Sequence, residues 1–204
     1  MKLTTLEKLF EDLLKDTYSA ENQLLKALPR MAKAATAKPL KDAFTGHLEE
    51  TRRQVERLSE IGTKLGIKLS GKKCVAMEGL IEEANELLKE DGEAALIDAA
   101  LIMAAQKVEH YEISAYGSAR TLAEHLGYDE VAELLQETLE EESAADEKLT
   151  AICVGEVLPA ASATSQPEDD DEDDEDEDMD DGEDTEEEEE QVASKAKGKK
   201  PQRV

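Results

Sequence analysis

The sequence predicts an all-α protein built on a four-helix bundle, and three observations carry that prediction. Ala, Leu, Glu and Lys dominate the 204 residues, aromatics make up 3% and Trp is absent; such a composition favours helix over sheet. Apolar residues recur at steps of three and four through four long segments, which gives each segment one face to bury. Within those same rhythms stand acids and a histidine, at positions where a bundle ordinarily places leucine.

The first helix is expected from about residue 5 to about 35, capped by Thr4 or Thr5 with Glu7 in its first turn. Pro29 removes one backbone hydrogen bond and should kink the helix or split off its end. Lys38-Pro39 marks a short connection. The second helix runs from Pro39, a residue suited to a first turn, to about Leu65, and Gly66 ends it. Residues 66–75 form a loop with two glycines. A shorter helix follows over about 76–89, with Met77, Leu80, Ile81, Ala84, Leu87 and Leu88 as its apolar face. It reads as a crossover joining two helix pairs. The third long helix spans about 93–126 and stops at Gly127. Asp129 can cap the fourth, over about 130–153, which Gly155 and Pro159 end.

The helical domain is thus expected over residues 1–155, and an acidic tail over 156–204. Residues 168–190 hold 20 acids and no base, and five bases follow between 191 and 204. Such a run buries too little apolar surface to offset chain entropy and repels itself, so disorder is expected there. The formal net charge is −27. Cys74 and Cys153 form no close motif and are too few for a disulfide framework. No signal-type apolar run opens the chain, and no stretch approaches the roughly 18 apolar residues of a membrane span. A soluble, cytoplasmic protein is the expectation.

The acids in the apolar rhythm are the candidate site. Glu21 falls in the phase of Phe10, Leu14, Leu24, Leu28 and Met31. His47 and Glu50 sit between Leu40/Phe44 and Leu58/Ile61/Leu65. Glu112 shares the phase of Leu101, Ala105, Val108, Ala115 and Ala119, with Glu109 one turn earlier. Glu142 and Asp146 continue Leu135 and Leu139 and precede Leu149. Any one of these could be an acid in a rim salt bridge, and His47 could simply bond Glu50 within its own helix. Four helices doing the same thing at similar depth argue for a shared cation, because an unpaired buried carboxylate costs several kcal/mol. A carboxylate-rich, histidine-poor set selects hard or borderline ions, iron first and manganese second. Bridging carboxylates would hold two such ions about 3.5–4 Å apart. Tyr18, Tyr111 and Tyr116 flank the region, and core packing is the first reading of them.

Five segments carry a family resemblance: LLKDTYSAENQLLKALPRMA (13–32), HLEETRRQVERL (47–58), KKCVAMEGLIEEA (72–84), DAALIMAAQKVEHYEISAYG (98–117) and LQETLEEESAADEKLT (135–150). Residues 1 to about 155 resemble the YciE/YciF family, a branch of the ferritin-like superfamily. The resemblance implies a ferritin-like four-helix bundle with one short extra helix, a di-metal centre and a link to stress responses. Carried over by position, it implies Glu21, His47, Glu50, Glu109, Glu112, Glu142 and Asp146 as metal ligands. The general ferritin-like pattern places Glu-x-x-His on two helices. This chain has none, and carries His47-x-x-Glu50 in the reverse order. The acidic tail is no part of the resemblance.

Two functions follow. One is a metal-binding, redox-capable protein that handles iron or scavenges oxidants under stress. The other is a non-catalytic helical scaffold whose acidic tail engages basic proteins, although the tail reads first as a solubilising segment. No serine or cysteine has the helper-acid and histidine spacing of nucleophilic catalysis, and no glycine-rich phosphate loop is present. The expected partners are metal ions and a second copy of the chain in a homodimer. Membranes and nucleic acid are not expected partners.

Overall fold

The computed structural model describes residues 4–164. Among them the chain is an all-α helical bundle of α1 (Leu6–Ala34), α2 (Lys38–Leu65), α3 (Val75–Leu87), α4 (Ala94–His125) and α5 (Asp129–Ile152), followed by a π turn (Cys153–Val157) and α6 (Leu158–Thr164). The expected acidic run lies outside the described residues.

α1 packs chiefly on α2 and α4 on α5. The short connections after Ala34 and His125 make each pair an antiparallel hairpin. The two hairpins meet along α2–α5 and α1–α4, while α3 lies against α4 and α1 as the crossover. Thr5 caps α1: its Oγ1 accepts from Lys8 N at 3.3 Å. Gly66 and Gly127 take the left-handed conformation, with φ of 66° and 76°. At each, the glycine amide and the next one turn back onto the last carbonyls: Ile67 N donates to Gly62 O at 2.8 Å and Tyr128 N to Ala123 O at 2.9 Å. A side chain at φ > 0 would be strained, so glycine ends both helices.

Three expectations are corrected. α1 runs unbroken through Pro29, so its end is not split off. Asp129 is the first residue of α5, where its charge suits the helix dipole, but Tyr128 holds the cap position and makes no side-chain capping bond. α5 ends at Ile152, close to the expected end, but Gly155 and Pro159 do not stop the helical run, which continues through α6. A π turn inserts one residue, closed by Leu158 N donating to Cys153 O. The insertion turns Val157 inward, 2% exposed, in place of Glu156, and Ala161 follows at 6%.

The core has two apolar halves. One holds Leu24, Leu28, Phe44, Met77, Leu101, Ile102, Leu149 and Val157. The other holds Phe10, Leu14, Leu58, Ile61, Tyr116, Val131 and Leu135. Glu21 on α1 lies in sequence between Leu14 and Leu24, His47 on α2 between Phe44 and Leu58, and Glu142 on α5 between Leu135 and Leu149. Glu109 and Glu112 on α4 fall likewise between Ile102 and Tyr116. A polar layer therefore crosses the bundle between the two halves.

Candidate metal centre

His47, Glu109, Glu112 and Glu142 each offer a nitrogen or oxygen atom, and these atoms lie within 4.8 Å of one another. All four residues are buried, Glu112 and Glu142 completely. His47 Nε2 stands 3.5 Å from Glu109 Oε1 and 3.8 Å from Glu142 Oε2. The fully buried Glu21 enters from α1; the Tyr116 phenol donates to its Oε1. Eight atoms of these five residues are buried without a hydrogen-bond partner: Glu21 Oε2, both nitrogens of His47, Glu109 Oε2, and both oxygens of Glu112 and of Glu142.

Elementary electrostatics makes this arrangement costly. Burial first, then the charges of Glu21, Glu142 and Glu109, push Glu112 well above the usual carboxylate range. Burial and the neighbouring acids do the same to Glu142. Glu21 is pushed up to about 7 by burial, against the opposing pull of the Tyr116 phenol and His47. Burial also raises Glu109, against the pull of His47. Burial lowers the basicity of His47, but Glu109, Glu50 and Glu21 outweigh it and raise the ring overall. Without a cation, the cluster must hold protons to relieve its own repulsion.

The other two expected residues stand apart from the buried group. The Glu50 side chain is 40% exposed, with Oε2 at 3.4 Å from His47 Nδ1. It sits at the mouth of a cleft rather than in the layer, and contact with the His47 ring holds its carboxyl below the usual range. Asp146 turns outward. Its Oδ1 accepts from Gln106 Nε2 at 3.0 Å and lies 3.5 Å from His110 Nε2. Tyr111 also faces elsewhere, donating to Asp16 Oδ2 at 2.8 Å beside Cys74 Sγ at 3.0 Å.

Two features escaped the sequence reading. Arg57, 9% exposed, ties α2 to α5: Nη1 donates to Thr138 Oγ1 at 2.6 Å and to Glu141 Oε2 at 2.9 Å, and Nη2 to Glu137 Oε1 at 2.5 Å. Gln54 Nε2 adds a bond to Glu141 at 3.0 Å. The clamp engages Glu141, the residue beside Glu142, and so fixes the rotation of α5 at the polar layer. Its signal was the run Gln54, Arg57, Leu58, Ile61, which keeps apolar phase with polar residues. The second is Asp98, 1% exposed, which accepts from Thr36 N, Thr36 Oγ1 and Ala37 N at 2.8, 2.6 and 2.7 Å. It anchors the α1–α2 turn to α4.

Fold and site together define a helical-bundle protein with a buried cluster of carboxylates and a histidine whose atoms could hold a metal ion. Residues 5–162 match the family described as a domain of unknown function, DUF892. The chain is 52% identical to protein YciF of Escherichia coli over 158 residues, 77% of this chain and 95% of that one. The crystal structure of that E. coli protein, a stress protein, superimposes with a TM-score of 0.74 over 76% of this chain and 99% of the other. YcfI of Rhodopseudomonas palustris, 46% identical, gives 0.71 over 73% and 95%. A Xanthomonas campestris protein, 20% identical, shares the fold at 0.62 over 79% of this chain and 99% of that one. The chain belongs to the DUF892 family, the family of YciF. Among the described residues, no helix is long and apolar enough to cross a membrane.

Proposed function

We propose that this protein binds a pair of metal ions in the polar layer of its bundle, and that it serves a stress or oxidant response as a ferritin-like di-metal protein. The observation that supports the reading is the set of eight buried, unpartnered atoms on Glu21, His47, Glu109, Glu112 and Glu142. Native interiors satisfy such atoms, and a divalent cation satisfies several at once. Oxygen donors with one imidazole fit iron or manganese. These five residues would hold the ions. When bound, such ions supply Lewis acidity and, for iron, electron transfer to an oxidant.

The chain's own residues do the rest. Tyr116 fixes one oxygen of Glu21 and leaves the other free to ligate. The apolar halves close the layer from above and below. Glu109 and Glu142, both raised by burial, would give up their protons when a cation takes their place. Kinship with the E. coli stress protein YciF supports the stress role.

Elemental analysis of the full chain, purified with and without oxygen, tests the proposal. Two equivalents of iron or manganese per chain are expected, falling below one in Glu112→Gln and Glu142→Gln. Unchanged content in both variants would place the metal elsewhere. A wild type without metal would leave the helical scaffold as the better account.

A further inference from the structure

The converging side chains are nearly closed to solvent: Glu112 and Glu142 are 0% exposed, Glu109 3% and His47 7%. A cation needs a way in. A cavity of about 190 Å³ opens between α2 and α5, with His47 and Glu109 in its wall and Glu50 and Lys148 also lining it. Both ring nitrogens of His47 lack a hydrogen-bond partner. The ring stands between two sets of carboxylates: Nδ1 faces the half-exposed Glu50 at 3.4 Å, and Nε2 faces the buried Glu109 and Glu142 at 3.5 and 3.8 Å. Side-chain exposure falls along that line from 40% at Glu50 through 8% at His47 to 3% and 0%. The gap owes its width to Ala43, Ala144 and Ala145; a leucine at any of them would narrow it.

We infer that the α2–α5 cleft is the passage by which a divalent cation reaches the buried layer, with Glu50 capturing it at the mouth and the His47 ring relaying it inward. The inference rests on the metal-centre reading above and adds the route. Donors arranged in steps of decreasing exposure let a cation exchange its hydration shell gradually instead of losing it at once. Lys148, close enough to Glu50 to act on its charge, opposes cations at the mouth and sets the rate of capture. An uncharged visitor would gain nothing from a carboxylate in that place.

The test mixes Co²⁺ with the metal-stripped full chain in a stopped-flow instrument and follows its visible absorption, which gives rate and final amount separately. Ala145→Leu should slow uptake about tenfold, the equivalent of roughly 1.4 kcal/mol in the barrier, with the final amount unchanged. The exposed Ala151→Leu on the same helix should match wild type. Glu50→Gln should also slow uptake, and Lys148→Ala should speed it about two- to threefold at low salt. These last two change only surface side chains, so they decide the matter if Ala145→Leu does not fold. Wild-type rates in Glu50→Gln and Lys148→Ala overturn the passage while the metal centre stands. A wild type that takes up no cobalt overturns the metal centre and the passage with it.

Discussion

His47 Nε2 and Glu109 Oε1 stand 3.5 Å apart on helices α2 and α4, both residues buried, and the His47 nitrogen has no hydrogen-bond partner. The distance is long for a charge-assisted bond and suits two donors that face a common third atom. In the metal-free chain the pair shares its layer with Glu21, Glu112 and Glu142, so the layer is held by protons.

That proton dependence gives a pH prediction. Glu21, Glu109, Glu112 and Glu142 all have folded-state values raised above the ordinary 4.5, Glu21 to about 7. The native state then binds more protons than the unfolded chain between those values, so stability falls as pH rises. The contribution is full below about 4.5 and is lost as pH climbs through 7 and beyond. His47, raised above 6.5, acts with the same sign at the upper end. The metal-free melting temperature should drop from pH 5 to pH 8, by a few kcal/mol in stability. Saturating metal should flatten or reverse the slope. Calorimetry of both forms across that range checks it; a metal-free chain more stable at pH 8 than at pH 5 would contradict it.

Glu112→Gln should act in opposite directions on the two forms. It removes a fully buried carboxylate whose charge the layer resists. At pH 5, where Glu112 already carries a proton, metal-free stability should change little. At pH 8 it should rise by about 1–2 kcal/mol, or roughly 2–4 °C per kcal/mol. Metal affinity should fall at both pH values. Paired melting curves with and without Mn²⁺ would show the crossover.

Much of this layer was legible in sequence because phase along a helix is strict. Glu21, Glu112 and Glu142 keep the apolar rhythm of their helices, and all three are fully buried. Glu50 and Asp146 were harder. Glu50 lies three residues after His47, a rotation of about 60° short of a full turn, enough to move it to the cleft. Asp146 shares a face with Glu142 but lies one turn on, where Gln106 and His110 meet it. The π turn was invisible, since one inserted residue leaves no mark beyond a shift in apolar phase from Ile152 to Val157. The Arg57 clamp needed the partner helix: nothing on α2 alone says that Glu137, Thr138 and Glu141 face it.

Arg57→Met should cost about 3 kcal/mol. The substitution leaves the partly buried Glu141 with only Gln54 as partner. Glu137→Ala, which removes an acid 59% exposed in its side chain, should cost less than about 1 kcal/mol. Urea titrations of the two variants against wild type separate them. Equal effects would mean that the clamp is no stronger than a surface ion pair.

Asp98→Ala should cost about 2–3 kcal/mol, because it orphans two backbone amides and a hydroxyl at the α1–α2 turn. Hydrogen exchange should rise at Thr36 and Ala37 first. Loss of stability without local exchange at that turn would point to a different cause.

The central claim is that the polar layer holds cations. Anomalous X-ray scattering from crystals grown in Mn²⁺ addresses it most directly, since it locates the ion without reference to activity. Two anomalous peaks about 3.5–4 Å apart, within ligand distance of Glu21, His47, Glu109, Glu112 and Glu142, are the expected result. An ordered layer with no peak at saturating Mn²⁺, its carboxylates paired through protons alone, would contradict it.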